Sequence, residues 1–495
     1  MARFLAFDLG AESGRAMVGR FDGEWLSLEE AHRFPNRPVR VFDSLHWDVL
    51  RLFDEMKRGL AAAAAGGELA SLGVDTWGVD FALLERDGAL LENPFHYRDP
   101  RTNGVMEKLF TVVPRPEVFE RTGIQFMQLN TLYQLYALRL ERPQVLDEAK
   151  TLLMMPDLFN YWFTGRVAGE YTNATTTQFY DPRARGWAGG LLEKLGIPAR
   201  ILPQVVEPGT VLGPLLDGVA AEAGVKPVAV VAPASHDTGS AVAAVPAQGE
   251  DWAFLSSGTW SLLGAEVPEP IINDQTLALN FTNEGGAWGA IRLLKNISGM
   301  WLLEECRREW ARQGAGLGYA ELMDAALAAP AFAAVIDPDD ASFLSPGEMP
   351  GKIAAYCRRT GQRAPESPGA TARVIFESLA LKYRKVLRML DQIRERQTRV
   401  LHVVGGGSKN AVLCQFTADA TGVPVVAGPE EATAIGNVLL QAVALGHIRT
   451  PAQARELVRR SFEPRVYEPG PAGPWDELAH RWFLDGGEDA GAGGG

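Results

Sequence analysis

What most narrows the folds open to this chain is a local pattern that occurs twice. An apolar run, Arg3-Phe-Leu-Ala-Phe-Asp8, leads into the small-residue turn Leu9-Gly-Ala-Glu-Ser-Gly14 and out through a second run, Arg15 to Phe21. Past the midpoint, Trp252-Ala-Phe-Leu-Ser256 leads into Ser257-Gly258 and out through Thr259 to Gly264. Each reads as strand, tight turn, strand, and the recurrence is one of architecture rather than of detectable sequence identity. The first copy continues with Asp22-Gly23, a hairpin signal, and a partly alternating stretch from Trp25 to Phe34. Val49, Leu52, Phe53, Met56 and Leu60 then recur at helical spacing, Gly66-Gly67 ends that helix, and Leu69 to Asp75 reads as another strand.

The order β-β-β-α-β is a ribonuclease-H-like opening, so the expected fold is α/β with two such domains. A chain of 495 residues is long enough for both. The expected divisions are 1–243, 244–468, and a Gly-, Ala- and acid-rich tail, 469–495, with no packed structure. Helices are expected at Leu132 to Leu140 and Asp157 to Phe163, and later at Gly299 to Arg312 and Thr371 to Ile393. Val400 to Val404 reads as a strand running into Gly405-Gly-Gly407, with a helix from Asn410. The 48 basic residues against 61 acidic ones argue against broad nucleic-acid or anionic-membrane binding, which needs a basic face. Three scattered cysteines make neither a disulfide framework nor a zinc site. With no leader-like run and no apolar run of membrane length, a cytoplasmic protein is expected, monomeric or a small homo-oligomer.

Between the two copies, Val228-Ala-Val-Val-Ala232 is bounded by Pro227 and Pro233, and small residues from Thr238 to Ala244 can pack as a helix. Asp237 stands at that strand-to-helix junction. It either caps the helix by accepting backbone N–H bonds or holds a carboxylate in the crevice where α/β sheets bind ligands. Spacing alone favours the cap; the other motifs reverse the preference. In the first turn, small residues let backbone N–H groups approach phosphate oxygens, Ser13 adds a hydroxyl and Arg15 a positive fork. Asp8, ending its strand, could hold Mg²⁺ through water. Ser256-Ser-Gly-Thr-Trp260 offers a matching turn, and Gly405-Gly-Gly407 lets backbone come close to a flat ring or a phosphate. Each alone is no more than a turn; together they describe a nucleotide gripped between two halves. Gly73-Val-Asp-Thr-Trp-Gly-Val-Asp-Phe81 sets Asp75 and Asp80 beside Trp77, suiting a polyol, although Trp77 and Phe81 could equally belong to the core with the acids on turn capping.

With these residues in view, the chain resembles the FGGY carbohydrate kinases. The resemblance runs in order from residue 4 to about 440 through FDLGAESGR (7–15), GVDTWGVDF (73–81), YRDPRTNG (97–104), GIQF (123–126), NTLYQL (130–135) and YTNATTTQ (171–178). It continues through ASHDT (234–238), LSSGTWSL (255–262), TNEGG (282–286), LKNISGMWLL (294–303), VVGGGSKN (403–410) and AGPEEATAIGN (427–437). It implies the actin-like, sugar-kinase fold, with an N-terminal sugar-binding domain and a C-terminal nucleotide-binding domain closing on a cleft. The implied activity is transfer of the γ-phosphoryl group of ATP, with Mg²⁺, to a sugar hydroxyl. GVDTWGVDF, YTNATTTQ and LKNISGMWLL point more narrowly to members acting on O1 of L-rhamnulose. L-fuculose, L-ribulose, D-xylulose and glycerol are the neighbouring choices, and a non-catalytic sensor of the same fold is the reading from another class. Asp237 matches the family's catalytic base, with His236 and Thr238 flanking it at the sugar. Gly78 and Asn296 match sugar-binding positions; Ala11, Glu12, Ser13, Gly14, Arg15, Thr259, Gly405 and Gly406 match ATP-binding ones. Glu304 stands at an ATP-contacting position where relatives carry Gln. Trp77 or Phe81 is expected to pack the C6 methyl of a 6-deoxy sugar.

Overall fold

The computed structural model describes residues 1–484. The first strands form as the apolar runs demand. Ala2–Leu9, Ser13–Phe21 and Leu26–Pro35 make an antiparallel meander. Asp22 closes its second turn, Oδ1 accepting from the N–H groups of Glu24 and Trp25. The helix Val49–Ala65 is capped by Asp48, whose side chain accepts from the N–H of Arg51, and it buries Val49, Leu52, Met56 and Leu60. A short hairpin, Val39–Val41 with Ser44–His46, precedes it. The strand Ser71–Thr76 then lies parallel to the first strand, and Ala229–Ala232 lies parallel to Ser71–Thr76 on its other side. With Thr210–Pro214 at the far edge, the sheet has six strands, the three central ones parallel.

By its contacts the chain divides into two units made of interleaved segments. The first holds Met1–Pro246, Glu266–Leu294 and Glu431–Glu463; the second holds Ala247–Ala265, Lys295–Glu430 and the chain from Pro464. Each unit thus draws on more than one stretch of the chain. The helix Ala432–Ala444 closes one face of the first unit's sheet, where Gln441 Nε2 donates to the carbonyl of Leu5 and Ser71 Oγ donates to Gln441 Oε1. In the second unit Trp252–Ser257 pairs antiparallel with Trp260–Val267 and parallel with Val400–Val404, which in turn runs parallel to Val425–Ala427. The expected repeat of construction is thus present, unit by unit.

The helix Pro368–Arg394 carries the second unit's core on Ile375, Leu379, Val386, Leu390 and Ile393. The tail needs a correction. Gly473–Leu484 is a helix with Trp475, Leu478 and Ala479 buried against Val335, Leu381 and Ala420. Composition was misleading there, because three apolar residues at helical spacing suffice to dock one face. The remainder of the expected tail, 485–495, lies outside the described residues.

Candidate active site

In the first unit, three neighbouring parallel strands deliver three acids at their carboxyl ends, where open α/β sheets hold ligands. Asp8 and Asp75 are partners in register. Thr76 bridges to His236, its N–H donating to the carbonyl of Ser235 at 2.9 Å, so Asp237 follows one residue beyond. Asp75 is wholly buried; its Oδ2 accepts from Asn437 Nδ2 at 2.6 Å, and its Oδ1 has no hydrogen-bond partner. Burial, and then the charge of Asp8, hold its pKa well above the usual carboxylate value.

Asp237 is the first residue of the helix Asp237–Ala243, whose N-cap is His236. Its Oδ1 accepts from the N–H of Thr238 at 2.5 Å and from Thr238 Oγ1 at 3.2 Å, and lies 3.4 Å from His236 Nε2. The side chain remains 31% exposed. Burial pushes its pKa up, His236 draws it down and Asp8 pushes it up again, with a net rise. The residue thus satisfies part of its own helix end and still presents a carboxylate.

Glu170, absent from every sequence motif above, ties the site together. Its buried carboxylate accepts from the N–H of Thr172 and Asn173, from Thr172 Oγ1, and from both the N–H and Oγ of Ser235. Thr172 Oγ1 in turn accepts from the N–H of His236 at 3.1 Å. A buried carboxylate is tolerated only with such a set of donors, and this one fixes YTNATTTQ against ASHDT.

The loop after Thr76 is built around Asp80. Asp80 is wholly buried, and its carboxylate accepts from Trp47 Nε1 at 2.6 Å, Trp77 Nε1 at 3.0 Å, the N–H of Tyr97 at 3.2 Å and Gln134 Nε2 at 2.9 Å. Three of these donors meet Oδ2 and one meets Oδ1, so Asp80 organises this loop. Phe81 belongs to an apolar cluster with Leu132, Leu135 and Met154. Trp77 packs against Trp47 with ring centroids 4.2 Å apart and the planes tilted by 36°. Val79 takes φ of 67°, unusual for a β-branched residue. It is held there by its N–H donating to Thr176 Oγ1 and its carbonyl accepting from Thr131 Oγ1. Gly78 lies against His236: a Cβ on it would stand 3.3 Å from His236 Nε2.

The first turn is pinned by Asn36, whose N–H donates to the carbonyl of Glu12 and whose Nδ2 donates to that of Gly10. Arg15 departs from expectation, because its fork is taken by Asp8 on one arm and Glu431 on the other. Burial opposes its charge, but these two carboxylates outweigh that and raise its pKa.

The second unit places the other predicted residues around two connected turns. The carbonyl of Thr259 accepts from the N–H groups of Gly299 and Trp301, each at 3.2 Å, so LSSGTWSL and LKNISGMWLL meet. Gly407 is required by close approach, since a Cβ there would stand 2.0 Å from Ser257 Oγ. Gly405 and Gly406 open this loop, and Asn410 caps the helix Ala411–Thr421 behind it, Oδ1 accepting from the N–H of Leu413. Asn296, half-buried, lies on the strand Ile291–Ser298. Glu304 is met by Arg307 Nη1 at 3.1 and 2.9 Å on its two oxygens. Arg307 stacks over Tyr319, whose hydroxyl accepts from Asn410 Nδ2. The acid that replaces Gln is therefore neutralised within its own helix, by a residue three positions on.

Comparison with known proteins identifies the family. Residues 3–244 match the N-terminal domain of the FGGY family of carbohydrate kinases, and residues 253–445 match its C-terminal domain. The chain is 47% identical over 474 residues to a rhamnulokinase of Bacteroides thetaiotaomicron, covering 96% of this chain and 97% of that one. It is 41% identical over 464 residues to a rhamnulokinase of Oceanobacillus iheyensis, covering 94% and 97%. Among solved structures, a ligand-bound xylulose kinase of Lactobacillus acidophilus superposes with a TM-score of 0.82 at 17% identity, covering 99% of each chain. A glycerol kinase of Plasmodium falciparum with ADP does so with 0.75 at 15% identity, covering 98% of this chain and 97% of that one. The solved structures share the fold; the matched domains and the two close relatives, together spanning nearly the whole sequence, show that the chain belongs to the FGGY family of carbohydrate kinases.

Proposed function

We propose that the chain transfers the γ-phosphoryl group of ATP to O1 of L-rhamnulose, giving L-rhamnulose 1-phosphate and ADP. The observation that carries this reading is identity of 41–47% over 94–96% of the chain to proteins that are rhamnulokinases. Phosphoryl transfer of this kind rests on placement and charge neutralisation. Asp237 is the base: with Oδ1 held by Thr238 and His236, its other oxygen takes the proton of the O1 hydroxyl as the new P–O bond forms. Such help is worth roughly 10²–10⁴ in rate. His236, Thr238, Gly78, Trp77 and Asn296 are assigned to the sugar, with Trp77 or Phe81 against the C6 methyl. Ala11 to Gly14 and Thr259 are assigned to phosphate, and Gly405, Gly406 and Glu304 to the nucleotide. Arg15 serves by holding Asp8.

Kinases of this family use ATP together with a divalent cation, for which we assign Mg²⁺. The donors fit. Asp8 keeps one oxygen clear of Arg15, and Asp75 Oδ1 is buried without a partner. Among the described residues no cluster of three or more His, Cys, Asp or Glu is arranged to chelate a metal. That suits an ion that keeps water and phosphate as ligands and takes one or two carboxylates from the protein. When bound it neutralises charge on the phosphates. No helix among the described residues is long and apolar enough to cross a membrane. A cytoplasmic location goes with this reading, because the reaction consumes ATP.

The test is ATP consumption against a panel of L-rhamnulose, L-fuculose, L-ribulose, D-xylulose and glycerol. L-rhamnulose should give the highest kcat/KM. A methyl contact contributes only about 1–3 kcal/mol, so the margin over a hydroxylated counterpart should be roughly 10- to 200-fold. A higher kcat/KM for another member of the panel overturns the assignment.

A further inference from the structure

Behind Asp237 lies a charge that the reaction as described does not use. Arg292 stands on the strand Ile291–Ser298, opposite Glu284 in the hairpin with Thr282–Gly285, and its side chain is 0% exposed. Its Nε donates to the carbonyl of Gly285 at 2.8 Å. Its Nη2 lies 3.1 Å from His236 Nδ1 and 3.3 Å from Glu284 Oε2. Glu284 Oε2 is itself 3.3 Å from His236 Nδ1. An ion pair buried this completely stabilises a fold no better than apolar side chains of the same volume, so packing alone gives no reason for it.

The contact with His236 has a chemical consequence. A guanidinium can only donate, so the ring nitrogen it meets must offer a lone pair. That places the imidazole proton on Nε2, the nitrogen 3.4 Å from Asp237 Oδ1. The alternatives are less favourable. Glu284 Oε2 is 3.3 Å from Nδ1, but the guanidinium is nearer at 3.1 Å, so an Nδ1–H would have to turn from Arg292 toward Glu284, and the Nδ1–H tautomer would also set a bare Nε2 toward a carboxylate. We propose that Arg292, balanced by Glu284, is a positioning residue for phosphoryl transfer: it fixes His236 as the Nε2–H tautomer, and through it the orientation of the Asp237 carboxylate. The Nε2–H then faces Oδ1, which already accepts twice from Thr238, leaving the second oxygen for the substrate hydroxyl. The inference rests on Asp237 being the base.

The experiment compares Arg292→Gln, Arg292→Lys, His236→Gln, the Arg292→Gln/His236→Gln double variant and Asp237→Asn, with ¹⁵N-histidine spectra of the wild type and His236→Gln to assign His236. The wild-type His236 should show the Nε2–H pattern. Arg292→Gln should lower kcat by about 10²-fold, the scale of a displaced catalytic group, with KM for ATP and the far-UV spectrum unchanged. Arg292→Lys should recover part of that loss. In the double variant, kcat should equal that of His236→Gln alone, because the effect passes through the ring. Losses that multiply in the double variant, a wild-type kcat in Arg292→Gln, or a wild-type His236 carrying its proton on Nδ1 would overturn the proposal. The last measurement decides even if Arg292→Gln does not fold. Turnover surviving in Asp237→Asn would instead overturn the base assignment itself.

Discussion

If Asp237 is the base, its pH behaviour follows from its surroundings. Asp237→Asn keeps the side chain's shape and its place beside Thr238 but removes the proton acceptor. Expected is a loss of turnover of about 10²–10⁴-fold with L-rhamnulose binding retained by calorimetry; unchanged turnover would remove Asp237 from the mechanism. A base must be unprotonated to act, and burial lifts this carboxyl above its ordinary value. Activity is therefore present above the raised pKa and lost as pH falls through it. The acid limb of kcat/KM should have its midpoint above the ~3.9 of an unperturbed aspartate. At this scale, residues at strand ends and turns, such as Asp8, Gly78 and Asp237, could be picked out in the sequence by their backbone setting. Less legible were residues whose partners lie far along the chain. Asp80 is surrounded by donors from Trp47, Tyr97 and Gln134, and Arg15 by Glu431. Glu284 and Asn437 lay inside motifs without being singled out, while Glu170 stood immediately before one and Arg292 between two. Only the folded chain shows what each of them holds.

Two helices of the first unit, Asp237–Ala243 and Ala432–Ala444, are packed backbone to backbone. Gly436 makes this possible: a Cβ there would stand 1.8 Å from the carbonyl oxygen of Ser240. Glycine within a helix ordinarily costs about 0.5–1 kcal/mol against alanine, so Gly436→Ala would stabilise an open site. Here the clash falls on backbone, and the variant should lose about 1–3 kcal/mol, read as a lower urea midpoint at unchanged m value. Because the displaced helix begins with Asp237, kcat should fall as well; an unchanged midpoint would mean that the helices do not approach so closely. Helices and strands with long periodic faces were legible in advance, among them Val49–Ala65 and Pro368–Arg394. The hairpin Val39–Val41 with Ser44–His46 was not, since three-residue strands carry too little alternation. The terminal helix was hidden by composition, for Trp475 and Leu478 are few among glycines and acids.

The order of segments along the chain has a further consequence for how the molecule can be taken apart. Matches to the family place an N-terminal domain at 3–244, yet the first unit is completed only by 266–294 and 431–463. The helix Ala432–Ala444 supplies Asn437 to Asp75 and Gln441 to Leu5 and Ser71, all buried. Without it, one face of the sheet would expose its apolar residues, and Ser71 and Asp75 would lose their partners, each at a cost of about 1–3 kcal/mol. Domains are stable by only about 5–15 kcal/mol, so these losses, added to the uncovered apolar face, exceed what such a fragment can bear. Residues 1–246 expressed alone should therefore aggregate or lack a cooperative thermal transition. A chain that joins 1–246, 266–294 and 431–463 through short Gly/Ser linkers should show one. Cooperative melting of 1–246 alone would mean that helix 432–444 is an accessory to that sheet and not part of its core. Residues 431–463 follow the second unit's segment 295–430 in the chain, so Asp75 gains Asn437 as a partner only after that segment has been made.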